Sequence, residues 1–263
     1  MLLASKTAVV YGGGGTIGRA VAHAFAREGA RVFLAGRNRD ALDRVASEIA
    51  TAGGEAETAQ IDVLDEGAVD GHADAIAEKA GNLDVSFNAI SYGEVHGIPL
   101  IQLPYDDFAS PVMDALRAQF LTTRAGARHM VTRGSGVILT ITATTARLAI
   151  PDVGGTGVRF DAVESLCRQW AAELGPAGIR VAWLRTTGIP EALDETADLF
   201  PDYGTGSGGM ARKELIEWMQ GKTMLKRLTS LTDVGNVAAF MASDQASAMT
   251  GSAVNITCGT VPD

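Results

Sequence analysis

The sequence predicts an α/β protein in three layers, with a doubly wound parallel sheet covered by helices on both faces. Two observations predict this class: strand-like and helix-like segments alternate along the chain, and the strand-like segments are continuous apolar runs. Such runs are typical of strands buried on both faces of a parallel sheet. Since no repeat, linker or change of composition divides the 263 residues, we expect a single domain over 1–263.

The first element is an apolar run at 7–11, which four glycines separate from a helical pattern ending near Gly29. Further strands are predicted at 32–35, 57–61, 83–90, 136–142, 179–184 and 253–257, and further helices at 39–52, 66–80, 106–132, 158–174 and 233–242. The glycine-rich stretch at about 191–212 is irregular. It is either a mobile surface loop or a flexible lid over a substrate site.

The composition excludes several classes of protein. A net charge of −9 argues against nucleic-acid and anionic membrane surfaces, which concentrate lysine and arginine. The two cysteines, Cys167 and Cys258, cannot build a disulfide framework, and no histidines have metal-ligand spacing, so we expect no metal. No apolar stretch reaches the roughly 18 residues of a membrane span. With no signal-peptide pattern before the first strand, a cytoplasmic protein is expected.

A glycine motif follows the first strand. The spacing Gly13-x-Gly15-x-x-Gly18 lies between a strand and a helix, which is the arrangement that binds dinucleotides. Glycine lets the backbone turn tightly and approach a pyrophosphate, which then lies at the helix N-terminus. A turn needed only for tight packing is the alternative.

The end of the second strand bears on the choice of cofactor. The sequence there reads Gly36-Arg37-Asn38-Arg39, and no carboxylate appears before Asp40. NAD sites usually carry an acid here for the ribose hydroxyl, whereas the planar guanidinium of Arg37 suits a 2′-phosphate. The pattern therefore favours NADP(H) over NAD(H). The alternative is a solvated arginine.

The chain resembles the short-chain dehydrogenase/reductase family over nearly its whole length. The similar segments occur in the family's order, at 13–18, 61–63, 87–90, 136–141, 162–166, 178–181 and 249–259. This resemblance implies a Rossmann fold, a small-molecule substrate, and a homotetramer or homodimer formed through the helices at 106–132 and 157–174. It also implies these cofactor contacts: Gly12, Gly15, Ile17, Gly18, Arg37, Asp62, Val63, Asn88, Ala89 and Ile189.

The catalytic residues of that family are missing. In the family a tyrosine exchanges a proton with the substrate oxygen, a lysine one helical turn later lowers the tyrosine pKa, and a serine orients the carbonyl. The resemblance places these three at Thr156, Phe160 and Ala143, and the family's helix asparagine at Ala115. A threonine hydroxyl is a much weaker acid than a phenol, so with no cation beside it Thr156 is not expected to replace the tyrosine.

One further departure concerns the cofactor. The threonine that binds the pyrophosphate in the family corresponds to Glu191. A carboxylate beside a pyrophosphate repels it unless the side chain turns away.

Other side chains are candidates for the acid–base work. Tyr92 and His96 follow the fourth strand, and ligands bind outside the carboxyl ends of parallel strands. They are alternatively a packed tyrosine and a surface histidine. Thr142 and Thr144 offer hydroxyls for a carbonyl, although threonine also suits the end of a strand.

Three arginines fall at or near the cleft implied by the resemblance, namely Arg147, Arg159 and Arg185. They bind an anionic substrate, or they pair with acidic neighbours such as Asp152 and Asp161.

Two functions of different classes remain open. The first is an NADP(H)-dependent oxidoreductase acting on a small carbonyl, hydroxyl or alkene with a non-standard proton donor. The second is a protein without redox activity, either a cofactor-binding sensor or partner subunit, or an isomerase, cyclase or dehydratase that uses the old cleft. Loss of general acid catalysis costs roughly 10²–10⁴-fold in rate, which slows a reductase without excluding it.

Overall fold

A parallel sheet is the centre of the protein, seen here in a computed structural model that describes residues 1–193 and 212–262. Its strands are β1 (Thr7–Tyr11), β2 (Arg31–Gly36), β3 (Glu55–Gln60), β4 (Val85–Asn88), β5 (Gly136–Ala143), β6 (Ile179–Thr186) and β7 (Ala253–Ile256). They lie in the order β3-β2-β1-β4-β5-β6-β7, and each neighbouring pair is parallel. The predicted doubly wound sheet is confirmed.

Helices cover both faces of this sheet. The described helices are α1 (Thr16–Arg27), α2 (Arg39–Thr51), α3 (Glu66–Ala80), α4 (Tyr105–Arg133), α5 (Thr156–Leu174), α6 (Pro190–Leu193), α7 (Arg212–Lys222) and α8 (Leu231–Ala242). Helices α1, α2 and α8 pack their apolar residues on one face, and α3, α4 and α5 pack theirs on the other. The result is the three-layer arrangement that the alternating pattern predicts.

The core therefore has two halves separated by the sheet. On one face, Phe25 of α1 contacts Phe87 of β4 edge to face, with ring centroids 6.2 Å apart. On the other, Tyr11 of β1 and Trp183 of β6 are fully covered by α3, α4 and α5. Because the central strands contribute apolar side chains to both halves, they appear in the sequence as unbroken apolar runs.

Two strands differ from the expectation. Strand β3 is half exposed rather than apolar, because it is the edge strand and has a neighbour on one side only. Strand β4 ends at Asn88, two residues before its predicted end. There the Asn88 side-chain oxygen accepts a hydrogen bond from the Ile90 backbone nitrogen at 3.2 Å, and this local turn ends the strand.

The topology decides where a ligand can bind. Strands β1 and β4 are neighbours, and the helix that follows β1 covers one face of the sheet while the helix that follows β4 covers the other. At such a switch point the connections after neighbouring strands separate and leave a crevice at the carboxyl ends. The segments that follow β1, β2, β4, β5 and β6 all begin at this edge.

Most of the irregular stretch predicted at 191–212 lies outside the described residues. The described part on its amino side belongs to the short helix α6, and α7 begins at Arg212.

Candidate functional site

The turn after β1 accepts only glycine at two positions. Gly12 has a φ of +78°, and a Cβ there would lie 2.6 Å from the carbonyl oxygen of Ala89. A Cβ on Gly18 would lie 2.1 Å from the carbonyl oxygen of Gly12, so α1 packs directly against the turn. A side chain at either position would separate α1 from β1 or β4.

The beginning of α1 is suited to an anion. Its N-cap is Gly15, which has no side chain to cap the helix, and the first turn carries no acid. The hydroxyl of Thr16 is buried and has no hydrogen-bond partner among the described residues. Unsatisfied backbone N–H groups and the helix dipole attract a phosphate at this place. The residues present therefore fit the pyrophosphate of a dinucleotide.

A cleft of about 440 Å³ runs over this turn, and we call it the glycine cleft. Its lining includes Gly12, Gly15, Ile17, Arg37, Asn38, Val63 and Ala89. No carboxylate belongs to the described lining, and the exposed Arg37 is its cation. Asp62 lies outside the lining, where its carboxylate accepts a hydrogen bond from the Leu64 nitrogen at 3.0 Å.

Two residues of the segment after β6 that were expected at the cofactor do not line the glycine cleft. Ile189 is buried in the core and does not line the glycine cleft. The carboxylate of Glu191 accepts a hydrogen bond at 3.4 Å from the backbone nitrogen of Leu231, the first residue of α8. Ala192, and not Glu191, borders the cleft. The carboxylate thus faces the beginning of α8, where a helix dipole favours negative charge.

The glycine cleft continues into a smaller cavity of about 190 Å³, the inner cavity. Ile17 and the segment from Ala89 to Ser91 line both spaces. The remaining lining of the inner cavity comes from Asn88, Tyr92, Glu94, Ala115, Gln119, Thr140, Ile141, Arg159, Phe160 and Val163.

Tyr92 lies in the wall of the inner cavity. Burial raises the pKa of Tyr92 well above its ordinary value, against the smaller opposing effects of the nearby Arg159 and Asn88 side chains. A phenol with a raised pKa remains protonated at neutral pH and is a poor proton donor.

A third space, the outer cavity, begins beside His96 and measures about 430 Å³. Its polar lining comes from His96, Thr144, Thr145, Thr156, Thr187, Lys222 and Thr260, and its apolar lining includes Ala143, Leu148, Ile150, Leu215, Trp218 and Met219. The space is mostly apolar with a small polar region, as is common for small-molecule sites.

In the polar region of the outer cavity, the His96 side chain contacts the beginning of α5. The Nε2 atom of His96 lies 2.7 Å from the Oγ1 atom of Thr156, the first residue of α5. Burial lowers the pKa of His96, Glu94 opposes that effect, and Arg159 adds to it. The imidazole is therefore neutral at pH 7, and it can exchange a proton with the threonine hydroxyl.

A larger described cavity, of about 610 Å³, lies at the opposite edge of the sheet and holds none of the predicted site residues. Two of its basic side chains are already paired, Lys6 with Asp244 and Arg31 with Glu57. It lies at the amino ends of β1, β2 and β3, away from the crevice that the topology creates.

Comparisons with known proteins agree with this geometry. A family model described as enoyl-(acyl carrier protein) reductase matches residues 14–260. An uncharacterised oxidoreductase of Bacillus subtilis, YxbG, is 32% identical over 255 residues, which are 95% of this chain and 88% of the relative. The chain belongs to the short-chain dehydrogenase/reductase family.

Solved structures of this family superpose closely on the chain. NAD⁺-bound xylitol dehydrogenase is 27% identical, with a TM-score of 0.89 over 98% of this chain and 100% of the other. A protein from Beutenbergia cavernae, assigned as an NAD(P)-dependent gluconate 5-dehydrogenase, is 29% identical, with a TM-score of 0.83 over 98% and 97%. Its crystals contain NADP at low occupancy. The relatives thus use both nicotinamide cofactors, and the family assignment supports an oxidoreductase.

The positions that the resemblance assigns to the family's catalytic residues are divided between the inner and outer cavities. Ala115 and Phe160 line the inner cavity, and Ala143 and Thr156 line the outer one. Sequence reasoning missed the partner of Thr156, since His96 is 60 residues away in the chain and no spacing rule connects the two.

Of the two threonines predicted to hold a substrate carbonyl, only one lies at a cavity. Thr144 lines the outer cavity, whereas the Thr142 hydroxyl donates to Glu164 of α5 at 3.0 Å and lies outside both cavity linings. Thr145 also lines the outer cavity, and its buried hydroxyl has no hydrogen-bond partner among the described residues.

The three arginines all have carboxylate neighbours. Arg185 binds Glu164 through two hydrogen bonds, Arg147 lies 3.4 Å from the same carboxylate, and Arg159 pairs with Glu94. Among the described residues, Glu164 and Glu94 are therefore the nearest carboxylates to these arginines, while Asp161 lies 4.0 Å from Arg147. This pairing favours a structural role over the binding of an anionic substrate.

In residues 1–193 and 212–262, no group of three or more acidic, histidine or cysteine side chains is placed to hold a metal ion. None of the helices in those ranges is long and apolar enough to cross a membrane.

Proposed function

We propose that the protein is an NADP(H)-dependent oxidoreductase of small carbonyl, hydroxyl or alkene compounds, in which Thr156 and His96 together do the work of the family's tyrosine. The observation that carries this proposal is the 2.7 Å contact between Thr156 Oγ1 and His96 Nε2, since the resemblance assigns Thr156 to the position of that tyrosine. The contact borders the outer cavity, which has room for a small substrate.

The glycine cleft supports the cofactor part of the proposal. Of the residues proposed to hold the cofactor, Gly12, Gly15, Ile17, Arg37, Val63 and Ala89 line this cleft. Gly18, Asp62, Asn88 and Ile189 are proposed from the resemblance to the family. Arg37 favours a 2′-phosphate, because the described lining of the cleft has no carboxylate for a free ribose hydroxyl. When bound, the nicotinamide supplies or accepts the hydride.

The chain's own residues move the proton. In alcohol oxidation, the Thr156 oxygen accepts the substrate's hydroxyl proton while its own proton passes to Nε2 of His96. In reduction, the proton moves in the opposite direction. Threonine alone is too weak an acid, but the imidazole brings a group that titrates near neutral pH into direct contact with it. The Thr145 hydroxyl, with Thr144 beside it, is placed to hold the substrate oxygen in place of the missing serine.

The proposal is tested with Thr156→Val and His96→Gln, using NADPH oxidation with a panel of small ketones, aldehydes and enones. Each variant should lower the rate by roughly 10²–10⁴-fold without changing NADPH affinity. The matched control is His129→Gln. His129 of α4 pairs with Asp74 of α3 and lines neither the inner nor the outer cavity.

The pH profile provides a second readout. Alcohol oxidation should fall as pH drops through the pKa of His96, which burial places below its ordinary value, and His96→Gln should abolish that limb. Turnover by both variants at the wild-type rate would overturn the assignment of the proton donor. Failure of the wild-type protein to bind NADPH or NADH would overturn the oxidoreductase proposal itself.

We also propose a homotetramer or homodimer formed through α4 and α5. Apolar side chains on the two helices are exposed in the monomer, namely Met113, Phe120, Val131 and Val158. Exposed apolar groups on adjacent helices are typical of a surface that a second subunit covers.

A further inference from the structure

A buried ion pair lines the inner cavity. Arg159 of α5 lies one helical turn after Thr156, and its guanidinium pairs with the carboxylate of Glu94. The side chains are only 7% and 12% exposed, so both charges are withdrawn from water. Burying a charged pair is expensive unless further hydrogen bonds satisfy its remaining donors and acceptors.

Those remaining groups are not fully satisfied within the protein. The Arg159 Cζ lies 3.9 Å from the centre of the Phe160 ring and 5.5 Å from that of Tyr92, so aromatic faces hold the guanidinium in place. The Nε atom of Arg159 is buried and has no hydrogen-bond partner among the described residues. A buried donor of this kind is rare in folded proteins unless a ligand or a water meets it.

The position of the pair indicates which part of a ligand would meet it. The glycine cleft extends from Arg37, past the beginning of α1, to Ala89, and there the inner cavity continues it. A dinucleotide whose 2′-phosphate lies at Arg37 and whose pyrophosphate lies at α1 must place its second nucleoside towards the inner cavity. Arg159 and Glu94 line that end of the path.

The chemistry of the pair matches a vicinal diol. Each ribose hydroxyl both donates and accepts a hydrogen bond, whereas a guanidinium only donates and a carboxylate only accepts. We propose that Arg159 and Glu94 form a subsite for the two hydroxyls of the ribose next to the nicotinamide, with Arg159 donating to one oxygen and Glu94 accepting from the other. This inference rests on the proposed function and names a positioning role for residues that the catalytic proposal does not use.

The test separates the two halves of the cofactor by calorimetric titration with NADPH and with 2′,5′-ADP, which lacks the second ribose. Arg159→Met should weaken NADPH binding by about tenfold or more and leave 2′,5′-ADP within about twofold. Arg159→Lys, which keeps the charge but loses the planar Nε donor, should give a smaller loss of NADPH affinity, about threefold. Arg37→Met should weaken both ligands, and Arg168→Met, an exposed arginine on the same helix, should weaken neither.

Removing one member of a buried ion pair can prevent folding, so the double variant Arg159→Met/Glu94→Met is measured as well. It eliminates both charges and should show the same selective loss of NADPH affinity. Unchanged NADPH binding in the folded variants would overturn the diol subsite and leave the proposed function standing. Equal weakening of both ligands would assign the pair a purely structural role. Absence of NADPH binding in the wild-type protein would instead remove the proposed function, on which this subsite depends.

Discussion

Replacing Glu164 by glutamine tests whether the arginines near the cleft support the fold. Glu164 of α5 is completely buried, and Arg185 of β6 is 3% exposed. The guanidinium meets the carboxylate through two hydrogen bonds, Nε to Oε1 at 2.8 Å and Nη2 to Oε2 at 2.7 Å. The Thr142 hydroxyl donates to Oε1 at 3.0 Å, and the half-exposed Arg147 lies 3.4 Å from Oε2. One carboxylate thus joins α5 to β5 and β6.

The expected loss is large because the variant removes a buried negative charge that the Arg185 guanidinium contacts through two hydrogen bonds. Breaking a buried ion pair by removing one partner typically costs about 3–5 kcal/mol. Glutamine keeps one acceptor oxygen for Thr142, so the lower end of the range, about 3 kcal/mol, is the expected loss in the free energy of unfolding. For a chain of this length that corresponds to a fall of roughly 6–12 °C in the unfolding midpoint.

The assay is urea unfolding followed by far-ultraviolet circular dichroism, at one protein concentration for all variants. Glu48→Gln is the matched control, because Glu48 forms a similar two-bonded pair with Arg19 at the surface, where such pairs contribute about 0–1 kcal/mol. The double variant Glu164→Leu/Arg185→Met should recover part of the lost stability, since it removes both buried charges. A loss for Glu164→Gln no greater than that for Glu48→Gln would refute the reasoning.

Two further predictions concern acid stability and assembly. Burial lowers the pKa of His72 to about 4, so the folded state favours the neutral ring. The free energy of unfolding should therefore be unaffected by His72 above its unfolded pKa of about 6.5, and should decrease as the pH falls towards about 4. The expected decrease is about 2 kcal/mol at about pH 5. Urea titrations should show that His72→Gln abolishes this decrease. Light scattering after size-exclusion chromatography should show a dimer or tetramer, which Phe120→Glu dissociates and Ile101→Glu, outside both helices, does not. A monomeric wild-type protein would contradict the assembly proposal, and an identical acid response in His72→Gln would contradict the first.

Much of the fold could be predicted because its signals are local. Strands β1, β2, β5 and β6 are apolar runs because they are buried on both faces. The helices show a 3.6-residue periodicity because only one of their faces is buried. Strand β3 was harder to characterise, because its place at the sheet edge depends on the order of the strands.

In the candidate site, too, the local features could be predicted from the sequence and the more distant ones could not. The glycine turn could be predicted because Gly12 and Gly18 act within a few residues of one another. Asp62 and Ile189 were expected at the cofactor from resemblance alone, and the structure places one on the surface outside the cleft lining and the other in the core. Their proposed contacts stay predictions.

By itself, the sequence determined the class of fold and the glycine turn after β1, since each depends on neighbours in the chain. Only the tertiary structure decided which side chains lie beside Thr156 and Arg159. It places the imidazole of His96 against Thr156, 60 residues away, and the carboxylate of Glu94 against Arg159. These pairs form because the segments that follow β4 and β5 meet at one edge of the sheet. That proximity is set by strand order and packing, which no spacing within the sequence encodes.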